Sequence, residues 1–222
     1  MKITHSKRLF LISLFLQLLC TGCLTSAAAQ TRWGVEVFLG DAYCFNTPLT
    51  IKQAGYEDIK LTARYATYSF QQPFYYSWRL SRWSNKRSWE IEFIHLKIKL
   101  KNTTAEVQNF EISHGYNIFT INRAWDLQKV IVRVGLGGVI AHPESIIRGK
   151  RFPETGGFND GYYIAGPIIQ IGAGKGFRLV GELFLALEGK LTAAYAKVPV
   201  VDGHAYVPHL GIHGLFGLKY LF

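Results

Sequence analysis

The sequence contains little methionine, cysteine or charge, and it has no long apolar run. One of the 222 residues is Met, three are Cys and 18% are charged. A helical membrane bundle is excluded, because no stretch reaches the roughly 18 consecutive apolar residues of a membrane-spanning helix. Scarce Met beside 22 Gly and 14% aromatic residues disfavours a leucine-rich helical protein. Since 49% of the residues are apolar, the chain is not disordered, and a β-rich protein remains.

The first thirty residues have the pattern of a secretory signal peptide. A basic start and an apolar segment of eleven residues at 9–19 precede the small residues Ala27 and Ala29. This is the order of n-region, h-region and cleavage site in an exported protein. We therefore predict a signal peptide at 1–29 and one mature domain at 30–222.

Processing at this site decides the cysteine content and the charge of the mature chain. Cys44 alone would remain, so the mature chain could form no internal disulfide. Lipidation of Cys23 is the alternative processing. Removal of Lys2, Lys7 and Arg8 lowers the formal net charge from +10 to +7. No helix-turn-helix, zinc or RNA-binding motif occurs, so we predict anionic lipid headgroups as the partner of this basic chain and not nucleic acid.

The last nine residues carry the most specific pattern in the chain. Phe216, Leu218, Tyr220 and Phe222 fall on one face of a period-two strand, and the chain ends on Phe222. This resembles the terminal strand of small bacterial outer-membrane β-barrels, whose final Phe is an assembly signal. The resemblance implies a place in the outer membrane of a Gram-negative cell envelope. The implied partners are outer-membrane lipid, lipopolysaccharide and the barrel assembly machinery.

Other segments alternate in the same way, with apolar residues on one face and isolated charges on the other. They lie at 33–39, 49–53, 59–68, 74–81, 89–100, 110–118, 130–137, 162–171, 182–196 and 206–222. A soluble sandwich alternates too, but the aromatic density, the terminal Phe and the low charge favour a membrane barrel with its apolar face outward.

The strand count follows from the position of the longest gap, 141–160. In bacterial barrels the outer loops are long and the number of strands is even, so an odd number should precede this gap. Counting 49–53 as a strand gives seven strands before the gap and three after it. The predicted fold is therefore all-β, a closed antiparallel transmembrane β-barrel of ten strands. Omitting 49–53 and one other segment gives eight, the alternative.

One segment, 89–100, changes the parity of its apolar residues at Phe93–Ile94. A β-bulge there would keep both apolar sets outward and turn the polar residues inward. Without a bulge, part of the strand must leave the membrane. We predict the bulge.

The polar faces of the strands predict a lumen that is closed by charge. The predicted network consists of Arg64, Arg79, Glu90, Glu92, Lys97, Glu111, Arg133, Glu188 and Lys190. A barrel of eight or ten strands is barely wide enough for its own side chains, so paired charges would fill it. We predict a structural role or the binding of a small solute or lipid. A narrow passive pore is one alternative.

The second alternative is a lipid A-modifying hydrolase, and it leaves open whether the protein is an enzyme. Small outer-membrane lipid A deacylases carry His-x-Ser with a nearby Glu, which Ser113-His114 resembles in composition. Adjacent side chains on a strand point to opposite faces, so these two residues should not form a nucleophile–base pair. The weak catalytic candidates are therefore Ser113 with His95 and Glu111.

The histidine spacing predicts no metal site, and no cofactor is predicted. His209 and His213 are four residues apart on a strand, which separates them by roughly 13 Å at about 3.3 Å per residue. Neither Cys-x-x-Cys nor His-Glu-x-x-His occurs.

Overall fold

A computed structural model describes residues 31–153, 156–158 and 161–222. The predicted signal peptide lies outside these residues. The strands are β1 (Thr31–Cys44), β2 (Thr47–Gln53), β3 (Ile59–Ala63), β4 (Tyr65–Ala66), β5 (Tyr76–Ser84), β6 (Arg87–Leu100), β7 (Val107–Asp126), β8 (Ile131–Ala141), β9 (Glu144–Ile147), β10 (Lys150–Arg151), β11 (Tyr163–Val180), β12 (Leu183–Val200) and β13 (Gly203–Leu221). In the described ranges, no helix is long and apolar enough to cross a membrane.

Eight strands pair antiparallel in a ring. Their order is β1, β5, β6, β7, β8, β11, β12 and β13, and β13 pairs again with β1. One end of the ring carries the start of β1, the end of β13 and the short turns after β5, β7 and β11. We call it the terminal end, and the opposite end, which carries the long connections, the loop end.

The loop end is extended by strands outside the ring. β2 pairs with β13 and β3, β9 pairs with β7 and β10, and β4 pairs with β6. The predicted strand 49–53 is thus real but belongs to this extension, as does 59–68. The ring therefore has the alternative count of eight strands. The count of ten included both segments, because a short alternating stretch looks the same in sequence whether its neighbour is a ring strand or a loop segment.

Side chains alternate between the two faces along most of the ring. On β1, Val35, Val37 and Leu39 are exposed, whereas Glu36 and Phe38 are 1% exposed. Large apolar side chains on the outer face include Trp78, Ile91, Ile121, Leu136, Ile171, Leu187, Ile212, Phe216 and Leu218. This orientation is opposite to that of a soluble sandwich, and so extensive an apolar surface requires apolar surroundings.

β6 has no bulge at the point where its apolar pattern changes parity. Its pairs with β5 continue in register from Arg87 to His95, so the prediction of a bulge at Phe93–Ile94 was wrong. Glu92 and Ile94 therefore face the same way, into the ring, and both are fully buried. The change of parity marks the point at which the interior turns from charged to apolar.

The loop-end half of the interior is an apolar core, which we call the apolar layer. It is continuous with the core of the extension. Its members include Phe38, Cys44, Leu49, Ile51, Ile94, Leu96, Ile98, Leu100, Phe110, Ile112, Tyr116, Ile118, Val139, Ile168, Val198 and Val207.

Candidate functional site

The terminal-end half of the interior holds a cluster of buried ion pairs, which we call the charged layer. Its members are the carboxylates of Glu36, Glu90, Glu92 and Glu188 and the cations of Arg79, Arg133, Lys190 and Lys219. All of them are buried. The two signs are present in equal number, as a charge cluster removed from water requires.

Arg79 on β5 is the centre of the charged layer. Its Nη1 donates to Glu36 at 2.8 Å, and its Nη2 donates to Glu92 at 2.8 Å and to Glu188 at 2.6 Å. Its Nε lies 3.5 Å from Glu90. One guanidinium thus joins β1, β6 and β12 across the ring.

Three further cations complete the pairing. Arg133 donates from Nε to Glu90 at 3.0 Å, and its Nη1 lies 2.9 Å from Glu188. Lys190 Nζ contacts Glu92 and lies 3.1 Å from Glu188. Lys219 Nζ lies 3.5 Å from Glu36.

Neutral side chains bond the remaining lone pairs of Glu92. Asn122 Nδ2 and Gln170 Nε2 donate to its Oε2 at 3.0 and 2.7 Å, and Ser77 Oγ donates to its Oε1 at 3.2 Å. A pocket of about 10 Å³ beside Glu36 and other members of the charged layer has room for roughly one water molecule. The space beside Glu36, Glu188 and Lys219 is therefore small.

The structure brings together six of the nine predicted network residues: Arg79, Glu90, Glu92, Arg133, Glu188 and Lys190. Arg64, Lys97 and Glu111 lie elsewhere. Arg64 is exposed beside Asn102, and Lys97 bonds the carbonyl of Gln71. Glu111 pairs with Lys99 on the same face of the sheet. Without the predicted bulge, Lys97 has the opposite parity to Glu92 and cannot point into the ring.

Sequence reasoning missed Glu36 and Lys219, although alternation contained the signal for both. Glu36 lies between the exposed Val35 and Val37, so it must face inward. Lys219 likewise lies between Leu218 and Tyr220, whose side chains are exposed. Both belong to strands that were predicted correctly.

The predicted terminal strand is β13, and Phe216, Leu218, Tyr220 and Phe222 are all exposed on the outer face. Phe222 exchanges two backbone hydrogen bonds with Trp33, each 2.9 Å long. The last residue thus pairs the end of the chain with β1.

The three catalytic candidates do not come together. His95 Nδ1 bonds Asn117 Oδ1 at 2.8 Å, and its ring stacks on the outward-facing Tyr76. Glu111 bonds Asn109 and Lys99. Ser113 donates to Glu144 at 2.7 Å instead.

A second polar cluster lies at the loop end, at the point where the pairing partner of β7 changes from β8 to β9. We call it the rim cluster, and its members are Ser113, His114, His142, Glu144 and Tyr162. His114 Nδ1 is 2.6 Å from Glu144 Oε1, the same oxygen that accepts from Ser113. The rings of His114 and His142 are 5.0 Å apart, and Tyr162 OH donates to the carbonyl of His114 at 2.9 Å.

Gly115 explains why Ser113 and His114 meet the same carboxylate, although alternation predicted opposite faces. Its φ of +143° interrupts the regular alternation of β7. A Cβ at this position would lie 2.5–2.8 Å from the side chain of Asn117, so the conformation favours glycine. The prediction that the side chains of Ser113 and His114 point to opposite faces was therefore wrong, because Gly115 changes the local backbone so that both side chains reach Glu144.

The rim cluster lowers the pKa of the Glu144 carboxyl. Partial burial alone would raise the pKa of this carboxyl. The hydrogen bonds from Ser113 and His114, together with the charge interactions with His114 and His142, outweigh burial and place the pKa of Glu144 below its usual value.

Comparison with known proteins identifies a fold class. No protein-family model matches the sequence, and no curated protein matches it. The outer membrane protein OprG from Pseudomonas aeruginosa is 7% identical, over 87% of this chain and 97% of that chain, with a TM-score of 0.50. The outer membrane protein AlkL is 11% identical over 90% and 94%, with a TM-score of 0.46. Ail, the attachment invasion locus protein of Yersinia pestis, is 12% identical over 88% and 100%, with a TM-score of 0.35.

This chain therefore has the fold of small bacterial outer-membrane β-barrel proteins. The resemblance predicted from the last strand is confirmed at the level of that class.

Proposed function

We propose that the protein is an outer-membrane β-barrel that crosses the membrane with its ring of eight strands. The apolar outer face and the buried interior charges support this, because only a lipid environment favours that orientation. The start of β1 and the end of β13 pair with each other at the terminal end of the ring. We assign this end to the periplasm. The long connections at the loop end then face the outside of the cell.

In this proposal the barrel interior is closed. The protein has a structural role in the outer membrane, or it binds a small solute or a lipid. One observation carries it: the charged layer, in which each carboxylate has a cationic partner, is followed along the axis by the apolar layer. An ion passing through would have to break buried ion pairs and then cross a core of buried apolar side chains, and both steps are costly. A narrow passive pore is therefore disfavoured.

Conductance tests the closed interior. The mature chain is refolded in detergent and inserted into planar lipid bilayers, with an open general porin in the same lipid as the positive control. We expect no channel steps above the bare bilayer. Reproducible steps from the wild-type protein would establish a pore and overturn the proposal.

A lipid A-modifying hydrolase remains the competing function, since the rim cluster pairs His114 with Glu144 at 2.6 Å. In this arrangement the hydroxyl of Ser113 donates its hydrogen bond to Glu144 and not to an imidazole, so the pairing of a serine nucleophile with a histidine base is missing. Mass spectrometry of lipid A from cells with and without the protein distinguishes the two functions. We expect identical spectra, and the loss of an acyl chain would replace our proposal by the hydrolase.

Membrane insertion is tested by deleting Phe222. The deletion removes two backbone hydrogen bonds to Trp33 and the proposed signal for the assembly machinery. We expect a marked loss of heat-modifiable protein in outer-membrane fractions. The matched control is Phe177→Ala, which removes an exposed aromatic side chain from β11. Normal insertion of the truncated chain would contradict the role assigned to Phe222.

A further inference from the structure

We propose that His114, His142 and Glu144 form a binding site for a divalent transition metal of the zinc type. One ligand atom from each residue can be chosen so that all three lie within 4.8 Å of one another. Ligands at about 2.0–2.2 Å from a tetrahedral zinc ion are separated by roughly 3.4 Å. Small side-chain rotations therefore suffice to bring all three onto one ion.

The ligand types select the class of metal. Two imidazoles and one carboxylate are a set that zinc sites use with a further position left for water. Imidazole also suits copper and nickel. Calcium takes six to eight oxygen ligands and magnesium prefers an octahedron of oxygens, so this set favours neither.

The surroundings hold the three ligands in place. Ser113 Oγ donates to Glu144 Oε1 at 2.7 Å, which fixes the orientation of the carboxylate. Tyr162 bonds the backbone of His114, and its ring packs edge-on against His142 at 5.0 Å between centroids. Such outer contacts are a regular part of metal sites, because they orient the ligands before the ion arrives.

The local backbone brings the ligands from separate strands. His142 donates its backbone N–H to the carbonyl of Gly115 at 3.0 Å, which ties the start of the β8–β9 connection to the irregular point of β7. Glu144 then begins β9, opposite Glu111. An ion can reach the site from solvent, because the side chain of His114 is 60% exposed.

This site does not depend on the interior being closed. It is a property of the outer rim, and a conducting barrel could carry it equally well. The conductance and the metal experiments therefore succeed or fail separately.

Calorimetric titration tests the site. The refolded mature chain is stripped with EDTA, dialysed, and titrated with ZnCl₂ at pH 7.5 in the presence of excess CaCl₂. We expect one Zn²⁺ per chain, and a loss of affinity of at least about tenfold in His114→Ala, in His142→Ala and in Glu144→Gln. The matched control is His204→Ala, which removes another loop-end histidine outside the rim cluster and should bind as the wild type does.

A spectroscopic measurement keeps the result independent of stability. Co²⁺ in place of Zn²⁺ should give the strong visible absorption of a tetrahedral site in the wild type and in His204→Ala, and not in Glu144→Gln. Heat-modifiable migration on gels checks that each variant is folded, and the exposed His114 side chain makes His114→Ala the variant least able to disturb folding. The proposal is overturned if the wild type binds no stoichiometric zinc, or if folded His114→Ala and Glu144→Gln bind it unchanged.

Discussion

The charged layer and the apolar layer are enclosed by the same ring of strands but are stabilised in different ways. In the charged layer, Arg79 bonds Glu36, Glu92 and Glu188 with donor–acceptor distances of 2.6–3.0 Å. In the apolar layer, side chains such as Leu96 and Ile98 are at most 1% exposed and pack without specific partners. In both halves the same eight strands form the wall, and the difference in the interior comes from the residues that these strands turn inward.

This difference has an energetic consequence. A buried charge depends on all of its partners, and removing one leaves the others uncompensated in a medium of low polarity. An apolar side chain that is truncated leaves a cavity, whose cost depends on how far the neighbours relax. We therefore expect single substitutions in the charged layer to be more damaging than those of similar size in the apolar layer.

The largest effect is expected for Arg79→Ala. The substitution leaves the carboxylates of Glu36, Glu92 and Glu188 with fewer cations, and it should lower the free energy of unfolding by about 3–5 kcal/mol. Urea unfolding in detergent micelles, followed by tryptophan fluorescence, measures the change. Arg82→Ala is the matched control, because Arg82 is exposed on the same strand, and it should leave the midpoint almost unchanged. Equal effects of the two variants would remove the distinction between the charged layer and the outer face.

A smaller effect is expected for Leu96→Ala in the apolar layer. Leu96 is fully buried, so the cavity should cost about 2–5 kcal/mol. Ile91→Ala on the same strand truncates a side chain that is 51% exposed on the outer face, where detergent or lipid replaces the lost contacts. Its cost should be about 1 kcal/mol or less. If the same urea titration gives the reverse order, the outward and inward faces of β6 are wrongly assigned.

The smallest effect is expected at the boundary between the layers, in Tyr75→Phe. Tyr75 OH bonds His213 Nδ1 at 2.9 Å, and His213 Nε2 bonds Thr192 at 2.9 Å. Losing this hydroxyl should cost about 1 kcal/mol, because one buried hydrogen bond disappears. Tyr76→Phe, on the exposed outer face, serves as the control and should show no measurable shift in thermal unfolding. If Tyr75→Phe leaves the stability unchanged, the hydrogen bond between Tyr75 and His213 does not stabilise the boundary between the layers.

The strands of the wall could be predicted from the sequence because period-two alternation is a local property. Glu36 and Lys219 follow from the same rule and were available to it. The closure of the ring was harder, since the pairing of β1 with β5 passes over β2, β3 and β4. No local pattern states which of several alternating segments will be neighbours.

The rim cluster could not be predicted from spacing. His114 and His142 are separated by a hairpin, and they meet only because Gly115 distorts β7 while the backbone of His142 bonds it. The parity change in β6 was visible in the sequence. Its interpretation as a bulge depended on the assumption that apolar residues always face outward. In this chain that assumption holds along only part of the strand.

If the ring crosses the membrane as proposed, the inversion along β6 also indicates how deeply this strand is immersed. Its outward side chains change from Trp89, Ile91 and Phe93 to His95, Lys97 and Lys99, while the inward ones change from acidic to aliphatic. In the proposed orientation, the level of the bilayer surface passes between Phe93 and His95. Below that level β6 has the apolar outer face of a membrane strand, and above it the apolar inner face of a strand in a water-soluble protein. In that orientation β6 carries two opposite solvent preferences along its length, and its loop-end part would stand outside the membrane as part of the folded extension instead of as a loose loop.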